Sequence, residues 1–212
     1  MQHVQNVGLN LVNIISDDNF FYNSTGDGFI LIFFSEIHYY DAYLFILSFN
    51  RIMSIINNKI KCEKNIKFSF GIGAESGEVF EIKIKSMQQV NYLGNVINNA
   101  ARIEAETKTH GRANIIIGEE LNQLLCHNIF NINYRELMEK TKDTTNEVMA
   151  KNNIDNMNRY NQELLLSYIF EHNLKGIDNP IPLFRVSPTL ADENKQGISR
   201  VIGLLVNNRT SK

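Results

Sequence analysis

The chain has little charge imbalance, few cysteines and no long apolar run, and each shortage closes off a class of function. Its 21 lysines and arginines stand against 23 aspartates and glutamates, a formal charge of −2. There is therefore no electrostatic footprint for wrapping a nucleic acid. The two cysteines, Cys62 and Cys126, lie far apart with no metal-ligand spacing. They read as buried or partly buried free thiols of a reducing cytosol rather than as a disulfide. No apolar stretch reaches transmembrane length, and the opening MQHVQNVGLN lacks the basic and hydrophobic blocks of a signal peptide. These features predict a cytoplasmic protein. His3, His38, His110, His127 and His172 show no ligand spacing, and no serine or cysteine nucleophile arrangement appears. The stretch GIGAES, 71–76, lacks the third glycine and following helix of a dinucleotide fingerprint.

What remains is 212 residues, 43% of them apolar, enough for one ordinary globular domain with a sizeable core. Apolar positions at helical spacing run over 4–15 and stop at SDDN. Two strand-like runs follow, FFYNST and GFILIFF, joined through Gly26-Asp27-Gly28, and a D-G step between such runs predicts a hairpin. A long amphipathic helix is expected over 36–58, with Tyr39, Tyr40, Phe45 and Phe49 in its buried stripe, then a Lys-rich loop. Residues 66–84 read as two strands around a Gly-Ala-Glu-Ser-Gly turn. A helix, the short strand ANIIIG and the helix EELNQLL come next. Residues 134–163 are polar and Asn-rich and read as a solvated insertion. LLLSYIFEHNLKGI and IPLFRVS restore strand character, and GISRVIGLLVNN predicts a short docking helix. Strands alternating with helices argue for an α/β sandwich, one sheet with helices packed against it.

Three places carry chemistry. Asp27 stands at a hairpin apex, where a carboxylate can be shared by metal ions and flanking glycines admit a phosphate; turn geometry alone also explains an aspartate there. Asn98 and Arg102 lie one helical turn apart, roughly 40° apart around the axis, while Val96, Ala100 and Ile103 occupy the opposite face. That pair reads either as a capping or surface network or as a donor set: a directed amide beside an always-charged planar fork suited to phosphate. Lys175, beside Gly176 between two strands, is either a phosphate contact or an exposed turn lysine.

In order, NSTGDGFILIF, FGIGAESGEVF, NYLGNVINNAARIE and LKGIDNPIPLFRV resemble the catalytic domain of class III nucleotidyl cyclases, the adenylate and guanylate cyclase family, from about residue 8 to 187. The resemblance implies a catalytic domain over 1–187 with the insertion at about 134–163, and a tail over 188–212. It implies a mixed α+β sandwich and a head-to-tail homodimer with active sites at the interface. Two aspartates of one subunit would hold two Mg²⁺ or Mn²⁺ ions for in-line attack of the ribose 3′-hydroxyl on the α-phosphorus. Asp27 matches the second aspartate, Asn98 the residue that orients the ribose, Arg102 the one that stabilises charge on the transferring phosphate, and Lys175 a binder of the terminal phosphates.

Departures accompany the match. The family's first metal aspartate sits on a first, central strand, yet only 26 residues precede Asp27, and Asp17 and Asp18 read as loop residues. Loss of a central strand leaves its neighbours with unpaired backbone groups, so the expectation is a chain truncated at its N-terminus. The base-reading positions are Asn23 and Asn91, which fit neither the adenine nor the guanine pattern of the family. That departure is similar to the small bacterial antiphage cyclases making cyclic UMP or cyclic CMP, whose products reach a separate cyclic-nucleotide-sensing effector. The leading expectation is a nucleotidyl cyclase converting a nucleoside triphosphate to a 3′,5′-cyclic monophosphate and pyrophosphate, with a pyrimidine product slightly preferred over cyclic AMP. Its alternatives are an adenylate cyclase, an inactive dimerising or regulatory module, and, more distantly, a diguanylate cyclase, whose second hairpin acid is Gly28 here.

Overall fold

A computed structural model describes residues 2–16, 19–64, 69–84, 89–109, 114–129, 133–136, 138, 166–172 and 181–186. The chain divides into two compact units, residues 1–69 with 190–212, and residues 70–189.

The first unit begins with α1, Gln2–Ile15, followed by the antiparallel hairpin β1, Phe20–Ser24, and β2, Phe29–Phe33. The long helix α2, His38–Lys64, follows. Ser35 donates its hydroxyl to the buried Asp41 carboxylate at 2.6 Å, closing the entry to α2 beside the positive end of its dipole. The hairpin is fastened to α2 by rings. Phe29 meets Phe45 and Phe49 edge-on, at centroid distances of 6.2 and 5.6 Å, and Phe33 packs on Phe45 at 6.1 Å. From α1, Leu11 and Val12 are fully buried. Gly8 brings this helix close to the hairpin, since a methyl group there would stand 2.8 Å from the Phe29 ring.

In the second unit β3, Ile72–Ala74, runs parallel to β6, Ile115–Ile117. β8, Ile181–Val186, pairs antiparallel with both β6 and β7, Leu166–His172, so the mixed sheet reads β3-β6-β8-β7. β6 consists of three buried isoleucines, the composition of a central strand. A separate antiparallel ribbon joins β4, Phe80–Ile84, to β5, Gln89–Leu93. Helix α3, Asn95–Thr109, lies on β3, with Ile103 in a core cluster with Ile116 and Leu183; α4, Glu119–Asn128, follows β6. Gly73 makes the α3 contact possible, because any Cβ there would collide with the Ala100 carbonyl and the Glu104 amide nitrogen.

The helices and strands expected from the sequence are present where described, with several differences. α2 ends at Lys64, so residues 59–64, expected as the start of a Lys-rich loop, are helical, and Lys61 and Lys64 complement the negative end of the dipole. Phe45 and Phe49 are buried, but Tyr40 is 43% exposed, because the wide apolar arc of this helix exceeds the face that packs. Cys62 is exposed and Cys126 buried. β5 was not signalled by its mixed polar composition; hydrogen bonding to β4 selects it. β3 and β4 flank the expected turn but pair with different partners. Among the described residues no strand pairs the second edge of β2 or of β3. Most of 134–163, with Asp17, Asp18 and the 197–208 stretch, lies outside the described residues.

Gly73→Ala is expected to cost about 1–3 kcal/mol, because the added methyl meets backbone that cannot swing aside. Urea denaturation of the variant checks this, and an unchanged midpoint would contradict the packing.

Candidate functional site

The hairpin apex is built without using its carboxylate. Gly26 takes a left-handed φ of +82°, and the Thr25 N–H donates to the Gly28 carbonyl at 3.0 Å. The side-chain amide of Gln5, on α1, donates to Ser24 Oγ at 2.8 Å, the Gly26 carbonyl at 2.9 Å and the Gly28 carbonyl at 3.2 Å. Asp27 itself is exposed and bonds no described residue. The turn closes through other groups, so both lone-pair-rich oxygens of Asp27 remain available. Asn23, on β1 opposite Ile30, is likewise exposed with no side-chain bond.

In the second unit, burial divides α3 into two faces. Ile103 and Thr107 are buried, and Val96 packs against Gly77. Asn98 is exposed and Arg102 half-buried on the other side, and neither side chain bonds a described residue. Lys108 and Glu104 form an ion pair on this helix, at 3.5 Å. A capping or surface network for Asn98 and Arg102 is thus not formed among the described residues. Asn91 lies on β5 opposite Ile82, exposed, on the strand that leads through Gly94 into α3. Its ribbon face also carries the cross-strand pair Phe80 and Leu93, 65% and 57% exposed. Lys175 lies outside the described residues. The structure therefore sets Asn23 and Asp27 on one hairpin, and Asn91, Asn98 and Arg102 on two consecutive elements.

Among the described residues no group of three or more His, Cys, Asp or Glu side chains is placed to hold a metal ion. A lone unbonded carboxylate is nonetheless a suitable ligand for Mg²⁺ or Mn²⁺ carried in by nucleotide phosphates, since such ions are commonly held by one or two carboxylates plus substrate oxygens.

Sequence reasoning passed over Gln5 and Glu75. A polar residue three positions before Gly8 is the only trace of the first. Glu75 takes the place of a helix cap. The N-cap of α4 is Gly118, which has no side chain to offer, and the Glu75 carboxylate fills the space a Cβ would need. It accepts the Ser76 N–H at 2.9 Å and the Leu121 N–H at 3.0 Å. Burial pushes its carboxyl up to about 7, the two N–H donors pull it down, and Glu120 and Glu119 raise it further. Nearby, Tyr134 donates its hydroxyl to Glu119 at 2.9 Å, and burial, then that bond, raises the phenol.

A folded-state value above the unfolded one means that the folded chain holds this proton more tightly. Stability contributed by protonated Glu75 is complete below the ordinary carboxylate range and is lost as pH rises to about 7. Glu75→Gln keeps an acceptor for both N–H groups and removes the charge. Urea midpoints compared at pH 5, 6, 7 and 8 should show the variant gaining on the unaltered protein up to pH 7 and holding that lead above it; parallel profiles would refute the assignment.

No protein-family model matches the chain, and no curated protein matches it. Solved structures do. The adenylyl cyclase CyaB from P. aeruginosa is similar at 14% identity with a TM-score of 0.57, over 90% of this chain and 84% of that one. Two structures of a bacterial light-regulated adenylyl cyclase match at 14% identity with TM-scores of 0.53 and 0.54, over 94% of this chain but 48% and 47% of theirs. The chain thus spans about half the length of the light-regulated protein. Its helices and strands have the mixed α+β, class III cyclase-like fold of these neighbours.

Proposed function

We propose that the chain is a nucleotidyl cyclase, converting a nucleoside triphosphate to a 3′,5′-cyclic monophosphate and pyrophosphate. The observation that carries this reading is the unbonded pair on α3: Asn98 and Arg102 face away from the core, and no described residue satisfies either. A half-buried guanidinium with no partner among the described residues suits a phosphate that arrives with substrate. Asn98 donates a directed hydrogen bond to the ribose, and Arg102 neutralises charge on the α-phosphoryl oxygens as the 3′-oxygen bond forms and the bond to the β-phosphate breaks. Asp27, with the nucleotide phosphates, would hold the Mg²⁺ or Mn²⁺ expected at two ions per site, and the metal would supply Lewis acidity toward the 3′-hydroxyl and the leaving pyrophosphate. Lys175 binds the terminal phosphates.

The working unit is a homodimer in which Asp27 of one copy and Asn98 and Arg102 of the other serve one nucleotide. The exposed Phe80–Leu93 face beside Asn91 supports association, since such a face is costly to leave in water. Asn23 and Asn91 read the base. Their amides both donate and accept, and a pyrimidine product, cyclic UMP or cyclic CMP, is favoured slightly over cyclic AMP, with a signalling role in antiviral defence through a separate effector. The organisation proposed is a catalytic domain over 1–187, the 134–163 insertion included, and a tail over 188–212. Among the described residues no helix is long and apolar enough to cross a membrane, which suits a cytoplasmic location.

A second reading, a dimerising regulatory module without turnover, is favoured by one observation: among the described residues Asp27 belongs to no group of three or more metal-ligating side chains.

Incubation with Mn²⁺ and each of ATP, GTP, CTP and UTP, read by mass spectrometry, decides between them. One cyclic product is expected; a folded dimer silent with all four nucleotides favours the regulatory module. Asp27→Ala should reduce turnover by more than about a hundredfold while changing stability by less than about 0.5 kcal/mol. Mixing Asp27→Ala with Arg102→Ala subunits should restore part of the activity. A mixture no more active than its parents contradicts the shared site.

A further inference from the structure

The apex that presents Asp27 is short of rigidity of its own. It contains two glycines, one in the left-handed region, and its single internal backbone hydrogen bond joins Thr25 to Gly28. The carbonyls of Gly26 and Gly28 can only accept. Both face the Gln5 amide, so it is the NH₂ end of that side chain that points at the turn. With Ser24 Oγ, these acceptors draw on the two N–H groups of one side chain, which therefore spans the loop from residue 24 to residue 28. The helix that carries Gln5 is fixed against the same hairpin. Tyr22 donates its hydroxyl to the Gln5 carbonyl at 3.4 Å, and Gly8, one turn along α1, admits the Phe29 ring. Phe29 in turn stacks on Tyr22 at 5.4 Å.

We infer that Gln5 is a positioning residue for the hairpin apex: its amide holds residues 24–28 in the shape from which Asp27 presents its carboxylate. What Asp27 does with that carboxylate rests on the cyclase reading; what Gln5 does rests on the hydrogen bonds. Most of the loop's acceptors are backbone carbonyls, so the hold does not depend on which side chain occupies position 27. Asp27 oxygens remain free for a divalent cation because Gln5, rather than Asp27, closes the turn.

Gln5→Met keeps the length and removes both donors; Gln5→Glu sets lone pairs against two carbonyls. In the full chain, amide hydrogen exchange at Thr25 is expected to quicken about tenfold in Gln5→Met and further in Gln5→Glu, with α2 amides unchanged. Titration with Mn²⁺ alone, followed by paramagnetic broadening of the Asp27 amide resonance, should need about tenfold more metal in Gln5→Met. In the cyclase assay the same variant should shift the Mn²⁺ dependence by a similar factor while kcat at saturating Mn²⁺ changes much less. Equal Thr25 exchange in all three proteins overturns the hold. Faster exchange with an unmoved Mn²⁺ titration overturns the positioning role. An unaltered protein that broadens at Asp27 yet makes no cyclic nucleotide counts against the cyclase reading and leaves the role of Gln5 standing.

Discussion

The contact between β3 and α3 is the constraint on which the second unit depends. Gly73 lets the helix backbone rest against the strand with no side chain between them. That approach fixes how α3 is rolled: Ile103 and Thr107 turn inward, and the positions half a turn away turn outward. Asn98 and Arg102 are outward for this reason alone. The helix has no need of them for its packing, and nothing described binds them, so they are held in place by a core to which they contribute little. A larger residue at position 73 would disturb the two donors without touching either.

The first unit solves a different problem with different means. A glycine-flanked apex is suited to bringing a carboxylate close to phosphates, but the same glycines make it loose. The looseness is countered from outside the turn. The Phe29 and Phe33 rings anchor the hairpin to α2, and α1 reaches the apex through one amide. The restraint on the turn thus comes from Gln5, which bonds two backbone carbonyls and Ser24, while Asp27 is left to solvent. In the second unit Glu75 likewise restrains a segment distant in sequence. It caps α4 from a neighbouring loop, because the cap position itself is a glycine.

Among the described residues β2 and β3 each have one edge to which no strand is paired. β2 is FILIF, with no charge, proline or bulge to deter pairing, which are the devices an exposed edge ordinarily carries. The apolar runs on either side of Gly-Asp-Gly are what mark this hairpin in the sequence.

The amino-acid sequence by itself determined the order of most helices and strands, the hairpin at Asp27 and the two-faced character of α3, because each follows from local periodicity or turn chemistry. Four motifs in order were also enough to indicate the class III cyclase fold, with which the solved neighbours agree. What only the tertiary structure decided are matters of long-range pairing. β5 exists because β4 offers it hydrogen bonds, β3 joins β6 rather than β4, and Cys62 is exposed where Cys126 is buried. The roles of Gln5 and Glu75 were likewise hidden. Each acts on groups far away in sequence, Gln5 on residues 24–28 and Glu75 on residue 121, and no local pattern records a hydrogen bond between segments that only folding brings together.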